Sequence, residues 1–124
     1  MSTRPSVMVV DDEEELTHLY KRFLEKSGFD SVSFTDPLSA LYHFSQNHGK
    51  YSVVITDWQM PSLDGIHLAK RMREYSTTVK ILLITAYSTD ELYRKEAFQE
   101  ARISAVIEKP ILLDELKLRL EELC

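Results

Sequence analysis

Short apolar runs recur along this chain, and each is separated from the next by a longer segment with helical signals. Short runs rich in β-branched and aliphatic side chains are typical of β-strands. Several of these runs are apolar throughout, which is typical of strands that are covered on both faces of a sheet. The predicted strands cover residues 7–10, 31–34, 53–55, 81–84 and 105–107.

The segments between these strands predict helices. Apolar side chains within residues 16–24 recur at helical spacing, and Gly28 suits the position just past a helix end. Pro37 suits a first helical turn. Side chains that can cap the following helices are Asp36, Asp64, and Ser88 with Glu91 as a capping box.

Strict alternation of five strands with five helices predicts an α/β fold with a parallel sheet covered by helices on both faces. The common solution for this pattern is flavodoxin-like (βα)5, a doubly wound five-stranded parallel sheet with strand order 2-1-3-4-5. The second strand alternates in polarity and is the expected edge. Ligands of such sheets bind beyond the carboxyl ends of the strands, so the residues that follow each strand are the candidates for function.

The composition excludes several classes of protein. The length of 124 residues predicts one domain, spanning 1–124, and the net charge of −5 argues against direct binding to nucleic acid. No apolar run is long enough for a membrane span, and residues 1–5 are too short and polar for a signal peptide. The single cysteine, Cys124, favours a reducing cytoplasm. Three scattered glycines make no phosphate-binding loop.

Charged and hydroxyl side chains follow the predicted strands. Asp11 and Asp12 follow the first, while Asp57, Thr85 and Lys109 follow the third, fourth and fifth. Two carboxylates about 4 Å apart repel each other by about 4 kcal/mol at an effective dielectric constant of about 20. The lysine offsets one charge, and a divalent cation such as Mg²⁺ suits the remaining hard oxygen ligands. Such a rim fits a phosphoryl group, which an aspartate can accept.

These residues also resemble a known family. The motifs, in chain order, are Asp11-Asp12, Asp57, Met60-Pro61, Asp64-Gly65, Thr85-Ala86 and Lys109-Pro110. Their order and separations are similar to the receiver domain of two-component response regulators. The resemblance runs from Val7 to Leu123, which is nearly the whole chain.

The resemblance implies roles for the acidic residues. Asp57 resembles the acceptor that takes a phosphoryl group from a sensor histidine kinase or phosphotransfer protein. Asp12 resembles the direct Mg²⁺ ligand, and Asp11 the ligand that acts through water. Asp57 and the backbone carbonyl of Gln59 would complete the protein ligands.

The resemblance also implies a switch. Thr85, with Ala86 beside it, and Lys109 resemble the groups that bind the phosphoryl oxygens, and Pro110 follows a peptide that is usually cis in the family. Such a domain is regulatory rather than an enzyme, apart from catalysing its own phosphoryl transfer and slow hydrolysis. Phosphorylation would change the surface of the fourth strand, fourth helix and fifth strand. The fourth helix, fifth strand and fifth helix are also the expected homodimer surface.

Two positions depart from the family pattern. The family usually carries Tyr or Phe three residues before the lysine, as a ring that turns inward with the threonine, and here that position is Val106. Tyr87 could replace the ring by covering the site. Leu112 stands where the family often has an Asp or Asn helix cap.

Three alternative functions compete with the switch. Val106 motivates a pseudo-receiver, an interaction module that does not use phosphate. The presence of the three aspartates together with Thr85 and Lys109 argues against it. A phosphatase of the haloacid dehalogenase type needs an aspartate at the position of Gln59. A flavodoxin is disfavoured because the acidic loop after the first strand would repel the phosphate of its flavin.

Met1 favours a natural start of the chain, so any missing effector domain is expected after Cys124.

Overall fold

Five parallel strands form one sheet in the computed structural model, which describes residues 4–87 and 89–124. The strand order is β2-β1-β3-β4-β5, so the predicted α/β fold, the order 2-1-3-4-5 and the edge position of the second strand are confirmed. The strands are β1 Ser6–Val10, β2 Asp30–Phe34, β3 Val53–Asp57, β4 Lys80–Thr85 and β5 Ala105–Glu108.

Helices cover both faces of the sheet. Within the described part of the chain they are α1 Glu14–Lys26, α2 Pro37–Asn47, α3 Gly65–Met72, α4 Thr89–Leu92, α5 Glu96–Ala101 and α6 Leu113–Leu123, with a 3-10 turn at His48–Lys50. None of the helices described is both long enough and apolar enough to cross a membrane.

The core lies in layers on either side of the central strands. In β1, Val7 and Val9 pack toward α1 and α6, whereas Met8 and Val10 pack toward α2 and α3. All four are buried, because successive side chains of a strand point to opposite faces and both faces are covered. The apolar runs of the sequence therefore follow from burial on both sides.

The helix ends follow the local signals. Gly28 takes a φ of +100° just past α1, a conformation that costs little without a Cβ. Asp36 accepts a hydrogen bond from the Leu38 N–H at 3.1 Å, and Asp64 accepts one from the His67 N–H at 2.9 Å. The predicted capping box at Ser88 lies outside the described residues.

The structure differs from the prediction between β4 and β5, where two short helices replace the single helix expected there. Leu92 in α4 and Ala101 in α5 are both fully buried. On one continuous helix of about 3.6 residues per turn these two positions would lie on opposite faces. The break at 93–95 lets both side chains face the interior, where Ala101 packs with the α3 residues Leu68 and Met72.

Arg73, just after α3, secures the end of α5. Its guanidinium donates to the carbonyl oxygens of Ala101 and Arg102 at 2.8 Å each, and to that of Val79 at 2.6 Å. Arg102 has a left-handed φ of 51°, which ends the helix. The arginine thus satisfies carbonyls that the short helix leaves without partners.

Candidate functional site

Three aspartates meet at the carboxyl edge of the sheet. Asp11 follows β1 directly, Asp57 is the last residue of β3, and these two strands are hydrogen-bonded neighbours. One carboxylate oxygen from each of Asp11, Asp12 and Asp57 lies within 4.8 Å of the others. The fold therefore brings together the acidic residues that the sequence predicts at one rim.

Asp11 is the most buried member of this cluster, with 1% of its surface exposed. Its Oδ1 accepts a hydrogen bond from the Glu13 N–H at 2.9 Å, whereas its buried Oδ2 has no hydrogen-bond partner in the described part of the chain. Burial, together with a smaller effect of the Asp57 charge, raises the pKa of Asp11 to about 6, although the hydrogen bond from the Glu13 N–H lowers it. One strong acceptor is thus left unused inside the rim.

Asp57 forms an ion pair with Lys109. The Nζ of Lys109 is 3.3 Å from its Oδ1, and both side chains are largely withdrawn from solvent. Burial raises the pKa of Asp57, and Lys109 opposes that rise by favouring the charged form. The lysine compensates one of three neighbouring negative charges, which leaves an excess for which a further cation is suited.

Gly65 fixes the backbone around Asp57. A Cβ at this position would collide with the carbonyl oxygen of Asp57 and would lie 3.0 Å from Cδ1 of Leu83. The Gly65 N–H donates to the carbonyl of Trp58 at 2.8 Å, and the Thr56 hydroxyl donates to the carbonyl of Asp57 at 2.9 Å. The Asp64-Gly65 pair of the sequence therefore caps α3 and lets it approach the acidic residue closely.

Thr85 and Lys109 come from the neighbouring strand ends. Thr85 is buried at the end of β4, and its hydroxyl oxygen accepts a hydrogen bond from the Tyr87 N–H at 2.9 Å. The Lys109 N–H donates to the carbonyl of Thr85 at 2.7 Å, and the peptide between Lys109 and Pro110 is cis. Ala86 is exposed at the same edge.

Val106, which departs from the family pattern, and Tyr87, its expected replacement, lie on the α4 side of the rim. Val106 is half-buried and packs in a cluster that includes Trp58 and Phe98. Tyr87 is 59% exposed, and its ring meets that of Trp58 edge to face, with centroids 6.0 Å apart and an interplanar angle of 81°. The cover that we expect Tyr87 to give the site stays a prediction.

Two further residues at the site, Tyr20 and Lys95, have no clear functional signal in the sequence. Tyr20 of α1 is buried near the rim, and burial together with the charges of Asp11 and Asp57 raises its pKa to about 12. Its helical spacing indicates only a core position. The Lys95 ammonium lies 5.9 Å from the centroid of the Trp58 ring, a contact that depends on the helix break.

Comparison with known sequences places the chain in a family. The family described as the response regulator receiver domain matches residues 7–121. The sensor protein EvgS of Escherichia coli K12 is 32% identical over 118 residues, which are 95% of this chain and 10% of that protein. The Bacillus subtilis regulatory protein PhoP is 31% identical over 115 residues, which are 93% of this chain and 46% of that protein. The chain thus spans less than half the length of these relatives.

Solved structures agree with the fold. The receiver domain of the Francisella response regulator 1452 has a TM-score of 0.84 and 30% identity, covering 97% of this chain and 96% of that one. Vibrio cholerae chemotaxis protein CheY4 has a TM-score of 0.87 at 21% identity, covering 98% and 100% of the two chains. With its sheet order, its strand-end residues and a family match over nearly its whole length, the chain belongs to the response regulator receiver domain family of two-component systems.

Proposed function

We propose that this receiver domain is a phosphorylation-dependent signalling switch in which Asp57 accepts a phosphoryl group from a sensor histidine kinase or phosphotransfer protein. The observation that carries the proposal is the meeting of three carboxylates and one lysine at the carboxyl edge of the sheet. Oδ2 of Asp11 is a buried carboxylate oxygen with no hydrogen-bond partner among residues 4–87 and 89–124, and its burial is costly unless the site gains a cation.

The donor set fits Mg²⁺, which receiver domains generally bind. Carboxylate and carbonyl oxygens with room for water are the ligands that this ion prefers. Asp12 and Asp57 would hold it directly with the backbone carbonyl of Gln59, and Asp11 would act through water. When bound, Mg²⁺ supplies positive charge beside the oxygens of the transferring group.

Asp57 would act as the nucleophile. One of its carboxylate oxygens forms a bond to phosphorus, and the bond from phosphorus to the donor's imidazole nitrogen breaks, with its electron pair retained by the imidazole. Lys109 is close enough to compensate the charge on the acyl phosphate. The Thr85 hydroxyl and the Ala86 N–H would donate hydrogen bonds to the phosphoryl oxygens.

The output would run through the elements that carry these groups. Thr85 ends β4, next to β5. A shift of its hydroxyl would therefore affect β5 and residues 89–101, which we call the α4–α5 segment.

We also propose that residues 1–124 form one receiver domain. We further propose that the domain forms a homodimer through the α4–α5 segment, β5 and α6. Analytical ultracentrifugation with and without phosphoryl donor tests the homodimer.

Intact mass spectrometry tests the switch. Incubation with Mg²⁺ and acetyl phosphate is expected to add one phosphoryl group to the parent chain. Asp57→Asn and a chelator should each abolish the gain, whereas Asp114→Asn, at an exposed aspartate in the first turn of α6, should keep it. A folded chain that gains no mass and binds neither Mg²⁺ nor beryllofluoride would contradict the switch and favour the pseudo-receiver that Val106 motivates.

A further inference from the structure

Position 106 offers no aromatic ring to link the phosphoryl site to the α4–α5 segment. Val106 is half-buried on β5 and packs with Trp58 and Phe98 in one apolar cluster. Its branched side chain is short and stiff at its first torsion, so it cannot swing between a buried and an exposed position as a ring can. If phosphorylation changes the α4–α5 segment, other side chains carry the change.

Tyr87 is joined to Thr85 through the backbone. Its N–H donates to the Thr85 hydroxyl oxygen at 2.9 Å, within a tight turn that follows β4. A turn of this kind holds the hydroxyl and the next two residues in one arrangement. Movement of the hydroxyl toward a phosphoryl group on Asp57 would remove the acceptor of the Tyr87 N–H. The backbone at Tyr87 would then be released from its present conformation.

Trp58 contacts both the Tyr87 ring and the cationic side chain of Lys95 at the start of α5. The Tyr87 and Trp58 ring centroids are 6.0 Å apart at an interplanar angle of 81°, a favourable edge-to-face arrangement. Lys95, the N-cap of α5, places its ammonium 5.9 Å from the centroid of the same indole. Trp58 therefore contacts both the loop after Thr85 and the start of α5.

The two helices of the α4–α5 segment are short and pack on the cluster that includes Trp58. α4 has four residues and α5 has six, so neither is long enough for strong helical cooperativity. Leu92 of α4 is buried in the same cluster against which Trp58, Phe98 and Val106 pack. A shift of the Tyr87 ring on the indole thus changes the packing surface of both short helices.

We propose that Tyr87 is a positioning residue that couples the Thr85 hydroxyl to the α4–α5 segment through its edge-to-face contact with Trp58. This inference rests on the proposed function, because it needs a phosphoryl group on Asp57 to draw the hydroxyl away. It assigns Tyr87 a role in transmission rather than in the chemistry of transfer. Loss of its ring should leave phosphoryl uptake in place and weaken the response of the segment.

Two measurements on the same variants separate these effects. Intact mass after incubation with acetyl phosphate and Mg²⁺ reports phosphoryl uptake. Amide hydrogen exchange over residues 89–101, with and without beryllofluoride and Mg²⁺, reports the response of the segment. The variants are Tyr87→Ala, Tyr87→Phe, which keeps the ring, and Tyr93→Ala. Tyr93 is a matched control, since it is exposed in the same segment but packs on Phe98.

We expect exchange in the segment of the parent chain to change by about fivefold or more on addition of beryllofluoride. Tyr87→Ala should lose most of that change while keeping its phosphoryl uptake, and Tyr87→Phe and Tyr93→Ala should keep both. A full exchange response in Tyr87→Ala would overturn the inference, as would an equal loss in Tyr93→Ala. A folded parent chain that takes up no phosphoryl group and binds neither Mg²⁺ nor beryllofluoride would overturn the proposed function, and the inference with it.

Discussion

Asp11 combines a structural hydrogen bond with a buried negative charge. It lies buried after β1, holds the turn into α1 through the Glu13 N–H, and keeps a second buried oxygen without a partner among the described residues. Asparagine can keep the first of these contacts through its own Oδ1 while removing the charge. The substitution Asp11→Asn therefore removes the charge without removing the hydrogen bond that holds the turn.

We expect Asp11→Asn to raise the stability of the metal-free chain at neutral pH. The pKa of Asp11 is raised from 3.8 to about 6 in the folded chain, so the folded state holds this proton more tightly than the unfolded state. Stability then falls as the pH rises between about 4 and 6, and the cost of the charge is complete above that range. Asparagine carries no such cost.

Denaturant unfolding of both chains in a chelator, from pH 4 to pH 7, measures this effect. The advantage of Asp11→Asn should grow with pH and reach about 3 kcal/mol, because the pKa rises from 3.8 to about 6 and each pKa unit corresponds to about 1.4 kcal/mol. An advantage that stays constant with pH would contradict the assignment of the cost to the Asp11 charge.

Gly65 carries a second prediction at the scale of a residue. In Gly65→Ala the new Cβ would meet the Asp57 carbonyl, so α3 or the end of β3 has to shift. We expect a loss of about 3 kcal/mol in the free energy of unfolding and slower phosphoryl uptake. Gly49→Ala is the matched control, because its Cβ meets nothing within 4 Å. Equal stability of the two variants would show that the approach of α3 is not tight.

At the scale of elements, the strands were predictable from sequence and one helix was not. Runs such as Val7–Val10 are apolar because both faces of the sheet are covered, and this signal is local. The division between α4 and α5 comes from tertiary packing, which buries Leu92 and Ala101 on what would be opposite faces of one helix. No glycine or proline marks the break, so local propensity alone predicts a continuous helix.

The start of α6 is a second place where the local sequence does not favour the observed element, because its N-cap residue cannot cap the helix. Its N-cap is Leu112, which is exposed and makes no side-chain capping bond. Leu112→Asp should stabilise the chain by about 1 kcal/mol, because the carboxylate can accept from a free N–H and favours the helix dipole. Thermal unfolding measures the gain. Leu118→Asp, at an exposed position inside the same helix, should give none, and an equal gain there would contradict the capping explanation.

At the scale of the whole molecule, the sheet brings distant residues to one site. Asp11, Asp57, Thr85 and Lys109 are far apart in sequence, yet the order of parallel strands places all of them at one edge. This part of the site was predictable, since the carboxyl ends of parallel strands share an edge. The contact of Lys95 with Trp58 was not, because it depends on how the α4–α5 segment folds back.

Mg²⁺ should stabilise the folded chain as a whole. A ligand that binds only the folded state adds about 2.7 kcal/mol at a concentration of 100 times its Kd. We expect the thermal midpoint to rise with Mg²⁺ in the parent chain and in Glu13→Gln, and to rise much less in Asp12→Asn. Glu13 is a matched control, since its exposed side chain is outside the three-carboxylate cluster. An unchanged response in Asp12→Asn would contradict the ligand set.

The identity of the acceptor is the central claim, and peptide mapping after borohydride reduction tests it most directly. Hydride reduces an aspartyl phosphate to homoserine and so marks the residue that carried the phosphoryl group. After incubation with acetyl phosphate and Mg²⁺, we expect homoserine at position 57 and unmodified aspartate at 11 and 12. Homoserine at either of those positions, or a chain that carries phosphate while Asp57 stays intact, would contradict the assignment.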